Sequence, residues 1–554
     1  MARDLLIEIG VEELPAGFID PAVKDLDEAV DGKLIEAEIH SGPCRRLATP
    51  RRLAVLFSGV PERGSDKEET VVGPPEKAAF DADGQPTKAA IGFAKSQGVA
   101  VDDLKIVEGK KDPCVAAEKL IVGRPTVEVI AEALPGLIAS IPFPKSMRWG
   151  AGEFRFARPI HWLVVLFGEE VVEVEVAGIK SGRTTYGHRF MAPDPIELAH
   201  PTEYVAKLKE AQVIVDPAER RKMTLEAVQK AAQAKEGRLR PDEDLADINA
   251  NLVEFPSAVC GRFDEEYLNL PDQVLITAMR EHQKYFAVVD DQGKLLPLFV
   301  AVNNTLTDDP EVVRAGHERV LRARLADAEF FFTEDTKRSL ESRIEDLKGI
   351  VYHKDLGTSH DKVERFAGLT GWLAGDLAPD SQDQAVKAAW LSKCDLTTSM
   401  VNEFPSLQGV VGQAYALKDG VSNETSWAVG EHYLPDSAEA SVPEGIPGAI
   451  VSMADKMDTI TGMFAINKPP TGAADPYGLR RAALGIVKIL IERGWSPGLK
   501  KFLNQALDNL PDEVFKVDQA EVHQQALDFF QTRLQHFFTG QGFDHDVVEA
   551  VLAE

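Results

Sequence analysis

Hydrophobic periodicity changes character once along this chain, and the change restricts it to a mixed region followed by a helical one. Leu5-Leu6-Ile7-Glu8-Ile9 and Arg52-Leu53-Ala54-Val55-Leu56-Phe57 are strand-like runs, while 21–39 carries the three- and four-residue spacing of an amphipathic helix. The first part, to about residue 195, is therefore α+β. Asp81-Ala82-Asp83-Gly84 reads as a turn, with a short helix opened by Pro86-Thr87 and closed at Gly98. Residues 160–167 and 171–179 suggest a hairpin through Gly168-Glu169-Glu170. A helical insertion is expected at about 200–280, with Glu219-Arg220-Arg221-Lys222 on an exposed face, before strands at 285–289 and 295–302 resume the first sheet. Residues 308–350 read as a long linking helix, with Val320, Leu321, Leu325 and Ala328 on its apolar face. Past Asp355 the pattern is helical, at 360–373, 384–401, 448–464 and 476–492, the last opened by Asp475 as cap and Pro476 at the first position. The expected divisions are 1–335, 336–500 and 501–554. The uncapped pattern at 544–554 suggests that a further C-terminal part follows.

A chain of 554 residues should hold about two to four cores. No apolar run approaches the ~20 residues of a membrane span, and residues 1–9 lack signal-peptide layout, so a cytoplasmic location is expected. Cys44, Cys114, Cys260 and Cys394 are too scattered for a disulfide framework or a paired-cysteine zinc site. The net charge of −28 argues against a globally basic, nucleic-acid-coating surface and confines any RNA contact to local patches.

Three such patches stand out. Arg45, Arg46, Arg51 and Arg52 lie in 39–61, which contains no acid. Pro144-Lys145-Ser146-Met147-Arg148-Trp149, with Arg155, Arg158 and Trp162 beyond it, combines cations with stacking surfaces. Arg322 and Arg324, with Arg314 and Arg319, follow the linking helix with Glu318 as the one acid in 312–325. Each suits a phosphate-tracking face, and equally a solvated or subunit-contacting one. The paired carboxylates Asp290/Asp291 and Asp308/Asp309 sit in turn contexts where Asp is favoured by its own hydrogen bonding. No nucleophile elbow or phosphate loop is present in the sequence, and no catalytic residue is assigned.

His360, Cys394-Asp395 and Asp455, in helical settings, follow the order in which an HD-type phosphohydrolase places its His, His-Asp and Asp ligands. Cysteine replaces the histidine of the doublet. Soft sulfur suits zinc better than the hard metals of that chemistry, so an HD-like fold without metal or catalysis is the better reading, and a metal-dependent phosphohydrolase the alternative.

Several further runs together resemble the β subunit of bacterial-type heterotetrameric glycyl-tRNA synthetase. They include Glu8-Ile9-Gly10-Val11-Glu12-Glu13-Leu14-Pro15, Pro50-Arg51-Arg52-Leu53-Ala54, Lys145-Ser146-Met147-Arg148-Trp149-Gly150 and Gly187-His188-Arg189-Phe190-Met191. Others are Arg322-Ala323-Arg324-Leu325-Ala326-Asp327-Ala328-Glu329-Phe330-Phe331, Leu391-Ser392-Lys393-Cys394-Asp395-Leu396 and Asp475-Pro476-Tyr477-Gly478-Leu479-Arg480-Arg481. The resemblance implies an N-terminal region like B3/B4 of phenylalanyl-tRNA synthetase, a degenerate HD-like helical domain at 336–500 and the start of a body-tail region at 501–554. It also implies a non-catalytic partner that recognises glycine tRNA in an α2β2 assembly. ATP and Mg are then expected at the α subunit, with no cofactor on this chain. Editing is not expected, because no amino acid is smaller than glycine. An assembly scaffold without RNA contact is the remaining alternative.

Overall fold

The computed structural model describes residues 2–81, 84–108, 112–150, 152–472 and 474–552; Ala82 and Asp83 of the expected turn lie outside these. The chain divides into two compact units. One comprises Met1–Gly261, Lys284–Lys294 and Phe299–Ala315, the other Arg262–Gln283, Leu295–Leu298 and Gly316–Glu554.

The first unit is built on a seven-stranded sheet. Its order is Glu175–Val176, Ile179–Gly182, Ile160–Phe167, Ala2–Val11, Arg52–Pro61 and Cys44–Thr49, with Glu170–Val171 also on Ile160–Phe167. Ala2–Val11 is buried along most of its length because both faces of the sheet are covered, which is why its sequence is nearly continuous in apolar residues. Alternation then divides its side chains. Leu5, Ile7 and Ile9 join the core of helices Ala16–Glu36 and Thr126–Ser140, through Leu26 and Leu134 among others. Leu6 faces a second core with Trp162, Val164, Tyr204 and Leu208. The first helix starts before Pro21, at Ala16, and this earlier turn buries Ile19. Thr87 caps Lys88–Gln97 and Gly98 ends it at φ 73°, as the sequence suggested.

Strands Phe286–Val289 and Leu295–Asn303 do not resume the first sheet. They join Arg238–Leu239 and Ser257–Arg262 in a separate four-stranded one. Alternation identifies a strand but not the edge it pairs with, and the Cys44–Thr49 edge is already met by Val215, whose carbonyl accepts from Ala48 at 3.0 Å. Ser257–Arg262 also places a strand inside the region expected to be helical. Arg220, expected on an exposed face, is fully buried, its guanidinium donating to the carbonyls of Ala250, Ala48 and Ile214.

In the second unit, helix Ile446–Ala465 is buried on nearly all sides, packed by Ser359–Leu377, Gln382–Leu391, Asn423–Glu431 and Leu479–Arg493. Three helical expectations shift. The linking helix spans Pro310–Asp335 and gives way to short 3-10 turns. The expected helix at 384–401 breaks after Leu391, because Asp335 accepts from the backbone N–H groups of Ser399 (3.0 Å) and Met400 (2.9 Å) while Thr398 caps the short helix Ser399–Glu403. Asp475 does hold a helix start, accepting from Leu479 and Arg480 at 2.9 Å each, but the helix begins at Leu479, beyond Pro476. Among the described residues, no helix is long and apolar enough to cross a membrane.

Gly10 lies where the indole of Trp162 crosses the first strand, and a Cβ there would come within 1.9 Å of the ring. Gly10→Ala is therefore expected to lower stability by about 1–3 kcal/mol or more. A denaturant midpoint equal to that of the parent would contradict this packing.

Candidate functional site

The basic run at 45–52 is largely neutralised within the first unit. Arg45 pairs with Asp216 at 3.0 Å and Arg46 with Asp27 at 2.7 Å. Arg51 is half-buried, its guanidinium 5.7 Å from the centre of the Trp162 ring. Burial pulls its pKa down.

Arg52 corrects the expectation of an RNA contact, because it is 0% exposed. It lies between two buried carboxylates, 3.3 Å from Glu8 and 3.1 Å from Glu254, and donates to the Tyr186 carbonyl at 2.8 Å. One cation cannot neutralise two anions in a medium that cannot solvate the excess charge. Glu8 and Glu254 resolve this in opposite directions. Burial raises the pKa of Glu8 despite Arg52 and the Thr185 hydroxyl. Burial also opposes the charge of Glu254, but Arg52 and the Thr49 hydroxyl, which donates at 2.7 Å, outweigh it and hold this carboxyl below its ordinary value. Burial thus disfavours the charged form of Glu8, while Arg52 favours that of Glu254.

The other cations differ. Lys145 and Arg148 are exposed and make no ion pair among the described residues, and half-buried Trp149 donates its indole N–H to the Phe156 carbonyl at 3.0 Å. In the second unit, exposed Arg322 lies 3.5 Å from Asp264, while half-buried Arg324 makes no ion pair among the described residues.

His360, Cys394, Asp395 and Asp455 all belong to the second unit, but their polar atoms point to different partners. Cys394 lies in a 3-10 turn after the helix, not on it. Its thiol donates to the Trp390 carbonyl at 3.3 Å, and burial pushes its pKa up, so it stays protonated. Asp395 accepts from the Gly409 N–H at 2.6 Å, and its other oxygen is buried without a hydrogen bond. Burial raises this carboxyl to about 6. The ring of half-buried His360 packs near Trp390, with centroids 6.0 Å apart.

Asp455 faces two ammonium groups, Lys362 at 2.8 Å and Lys393 at 2.9 Å. Burial opposes the charge of Asp455, yet the two lysines hold its pKa well below the ordinary range. Lys362 also meets Asp458 at 3.1 Å, and Arg365 meets Asp458 at 2.7 Å. Among the described residues Lys393 has no second carboxylate at this range; burial lowers its pKa, and its ammonium donates to His432 Nε2 at 2.8 Å. His432 Nδ1 lies 2.7 Å from the Val429 carbonyl, which fixes a neutral ring protonated on Nδ1. Burial and the charge of Lys393 keep that ring neutral.

These residues do not fit a divalent metal of the HD kind. A hard cation requires converging oxygen and nitrogen lone pairs, whereas here both oxygens of Asp455 face ammonium groups and the sulfur carries a proton. Among the described residues, His360, Asp361 and Glu364 do cluster on one helical turn, but Asp361 already accepts from the Thr358 backbone N–H (2.7 Å) and hydroxyl (2.8 Å) as part of a capping box. Sequence reasoning passed over Glu8, Glu254, Lys362 and Lys393. An acid inside the apolar run Leu5-Leu6-Ile7-Glu8-Ile9 was the available signal.

The glycyl-tRNA synthetase beta subunit family matches residues 5–553. Relatives include the glycine–tRNA ligase beta subunit of Syntrophus aciditrophicus (strain SB), 46% identical over 553 residues, covering 100% of this chain and 80% of the relative. That of Geobacter sp. (strain M21) is 47% identical over 551 residues, with the same coverage of 100% and 80%. The chain belongs to the glycyl-tRNA synthetase beta subunit family.

Two substitutions separate the roles of the carboxylates around Arg52. Glu8→Gln, at the carboxyl whose charge burial disfavours, should cost less than Glu254→Gln, which leaves Arg52 without the carboxylate held in its charged form and should cost about 3–5 kcal/mol. Equal losses in chemical denaturation would contradict the assignment. For Asp395, the raised folded pKa means that the folded chain keeps a proton the unfolded chain has released. Stability should therefore fall as pH rises from about 4 to about 6. Asp395→Asn should flatten that segment of a Tm-against-pH curve; an unchanged slope would place the proton elsewhere.

Proposed function

We propose that this chain is the tRNA-recognising, non-catalytic subunit of a cytoplasmic glycine–tRNA ligase. In this reading an α subunit binds ATP and Mg, forms glycyl-adenylate and transfers glycine to the tRNA 3′ end, within an α2β2 assembly. The observation that carries it is the match over residues 5–553, together with relatives named as ligase beta subunits. The side chains support a binding role. The HD-like positions hold a protonated thiol, a carboxyl raised by burial and a carboxylate held by two lysines, a degenerate site kept as a packed core. The first unit is read as a B3/B4-like recognition scaffold.

Local cations must attract tRNA against the −28 field of the chain. Lys145, Arg148 and Arg324 are better placed for this than Arg45, Arg46 and Arg322, whose charges face carboxylates at 3.0 Å, 2.7 Å and 3.5 Å. Trp149 supplies a stacking surface beside the first pair.

The test is glycylation of glycine tRNA by this chain and the α subunit together, with each omitted in turn, alongside tRNA binding across salt concentrations. Charging should require both chains. Affinity should fall with salt at a slope set by the few phosphates touched, about 0.7–0.9 per phosphate. Charging by this chain alone would contradict the reading, and salt-insensitive tRNA binding would favour a scaffold.

A further inference from the structure

A hairpin in the first unit carries cations that the described residues leave unneutralised. Met147–Arg148 and Arg155–Phe156 pair antiparallel, with Arg148 directly opposite Arg155. Both arginines are exposed. Like charges in that register weaken a strand pair, and neither residue makes an ion pair among the described residues. Arg155 donates to the Ser146 carbonyl at 3.2 Å, which orients the guanidinium without neutralising it. Between residues 143 and 160, Lys145, Arg148, Arg155 and Arg158 face Glu153 as the one acid, so the segment is net positive in a chain of charge −28.

Beside this pair lies a cleft of ≈ 530 Å³, lined by Trp149, Glu153, Phe154, Phe156 and Ile160 among others. Three aromatic side chains, Trp149, Phe154 and Phe156, contribute to its walls. The Trp149 indole N–H is fixed on the Phe156 carbonyl at 3.0 Å. Phe154 stacks on Phe156 with centroids 6.1 Å apart, and Phe143 meets Phe156 edge-on at 4.8 Å. Trp149 and Phe154 remain half-buried.

We propose that the hairpin and cleft form a binding site for one unpaired RNA nucleotide, its base against Trp149 and Phe154 and its phosphate between Arg148 and Arg155. The proposal rests on the reading above that the chain contacts tRNA. Guanidinium groups, each a planar fork of N–H donors, suit the several acceptor oxygens of a tetrahedral phosphate, and half-buried aromatic rings suit a base face. An acidic peptide would satisfy the arginines but leave the aromatic cleft without a partner. Duplex RNA would supply phosphates, but its bases are stacked on one another and cannot enter.

The test uses this chain assembled with the α subunit and a fluorescently labelled short RNA, single-stranded or annealed to its complement, with anisotropy read across salt concentrations. The single strand should bind and the duplex should not. In R148A/R155A the salt slope should fall by about 0.7 for the one phosphate lost. W149A should weaken binding by about 5- to 150-fold, with W149F recovering most of it. In glycylation, R148A/R155A should raise the KM for tRNA and leave kcat unchanged. The proposal is overturned if both sets of variants bind single-stranded RNA as the parent does, if duplex is preferred, or if R148A/R155A instead releases the α subunit. A parent chain that supports no glycylation would remove the functional reading itself. A parent that charges normally, with variants that bind normally, would remove only the hairpin site.

Discussion

A charge taken out of water must be matched where it lies, because an unpaired buried ion costs several kcal/mol. Both units contain such matched groups at their centres. In the first, Arg52 between Glu8 and Glu254 ties the first strand, the Arg52–Pro61 strand and the segment around Glu254 into one arrangement. In the second, Asp455 and Asp458 on the central helix draw in Lys362, Arg365 and Lys393 from elements packed around it. The consequence reaches the surface. Cations buried in these networks are unavailable to a partner and those in surface ion pairs are partly offset, so an anionic partner would be met most readily by exposed cations with no ion pair among the described residues.

That sorting explains what the sequence could and could not convey. The α+β character of the first region, the helical character after Asp355 and the Thr87 and Gly98 caps follow from local patterns and were legible. Arg52 and Arg220 were not, because both lie among other basic residues in sequence and their partners are far along the chain: Glu254 for Arg52, and the carbonyls of Ala48 and Ala250 for Arg220. The break before Thr398 has the same origin. A helical apolar pattern ran through it, but the carboxylate of Asp335 fixed the backbone of Ser399 and Met400 from outside the segment. Likewise, alternation identified the strands after residue 285 but not their sheet, which depends on which edge was already met.

His360, Cys394-Asp395 and Asp455 show how a residue order expected to bind metal can carry different physics. Lys393 immediately precedes the Cys394-Asp395 doublet, and its ammonium reaches Asp455 and the neutral ring of His432 while lying 3.9 Å from the Tyr433 ring centre. Two lysines thus supply the positive charge opposite Asp455, and Cys394 serves as a small, protonated core residue. A covalent chain that carries its own cations packs this core through side-chain contacts alone, which suits a subunit whose proposed work is recognition.

The central claim is that internally unpaired cations, and not the neutralised run at 45–52, meet the tRNA. Photo-crosslinking of the assembled ligase to glycine tRNA, with peptides mapped by mass spectrometry, tests this most directly. The account predicts crosslinks on the segment from Lys145 to Phe156 and none centred on Arg45, Arg46 or Arg52. Crosslinks concentrated on 45–52, with the hairpin untouched, would contradict it.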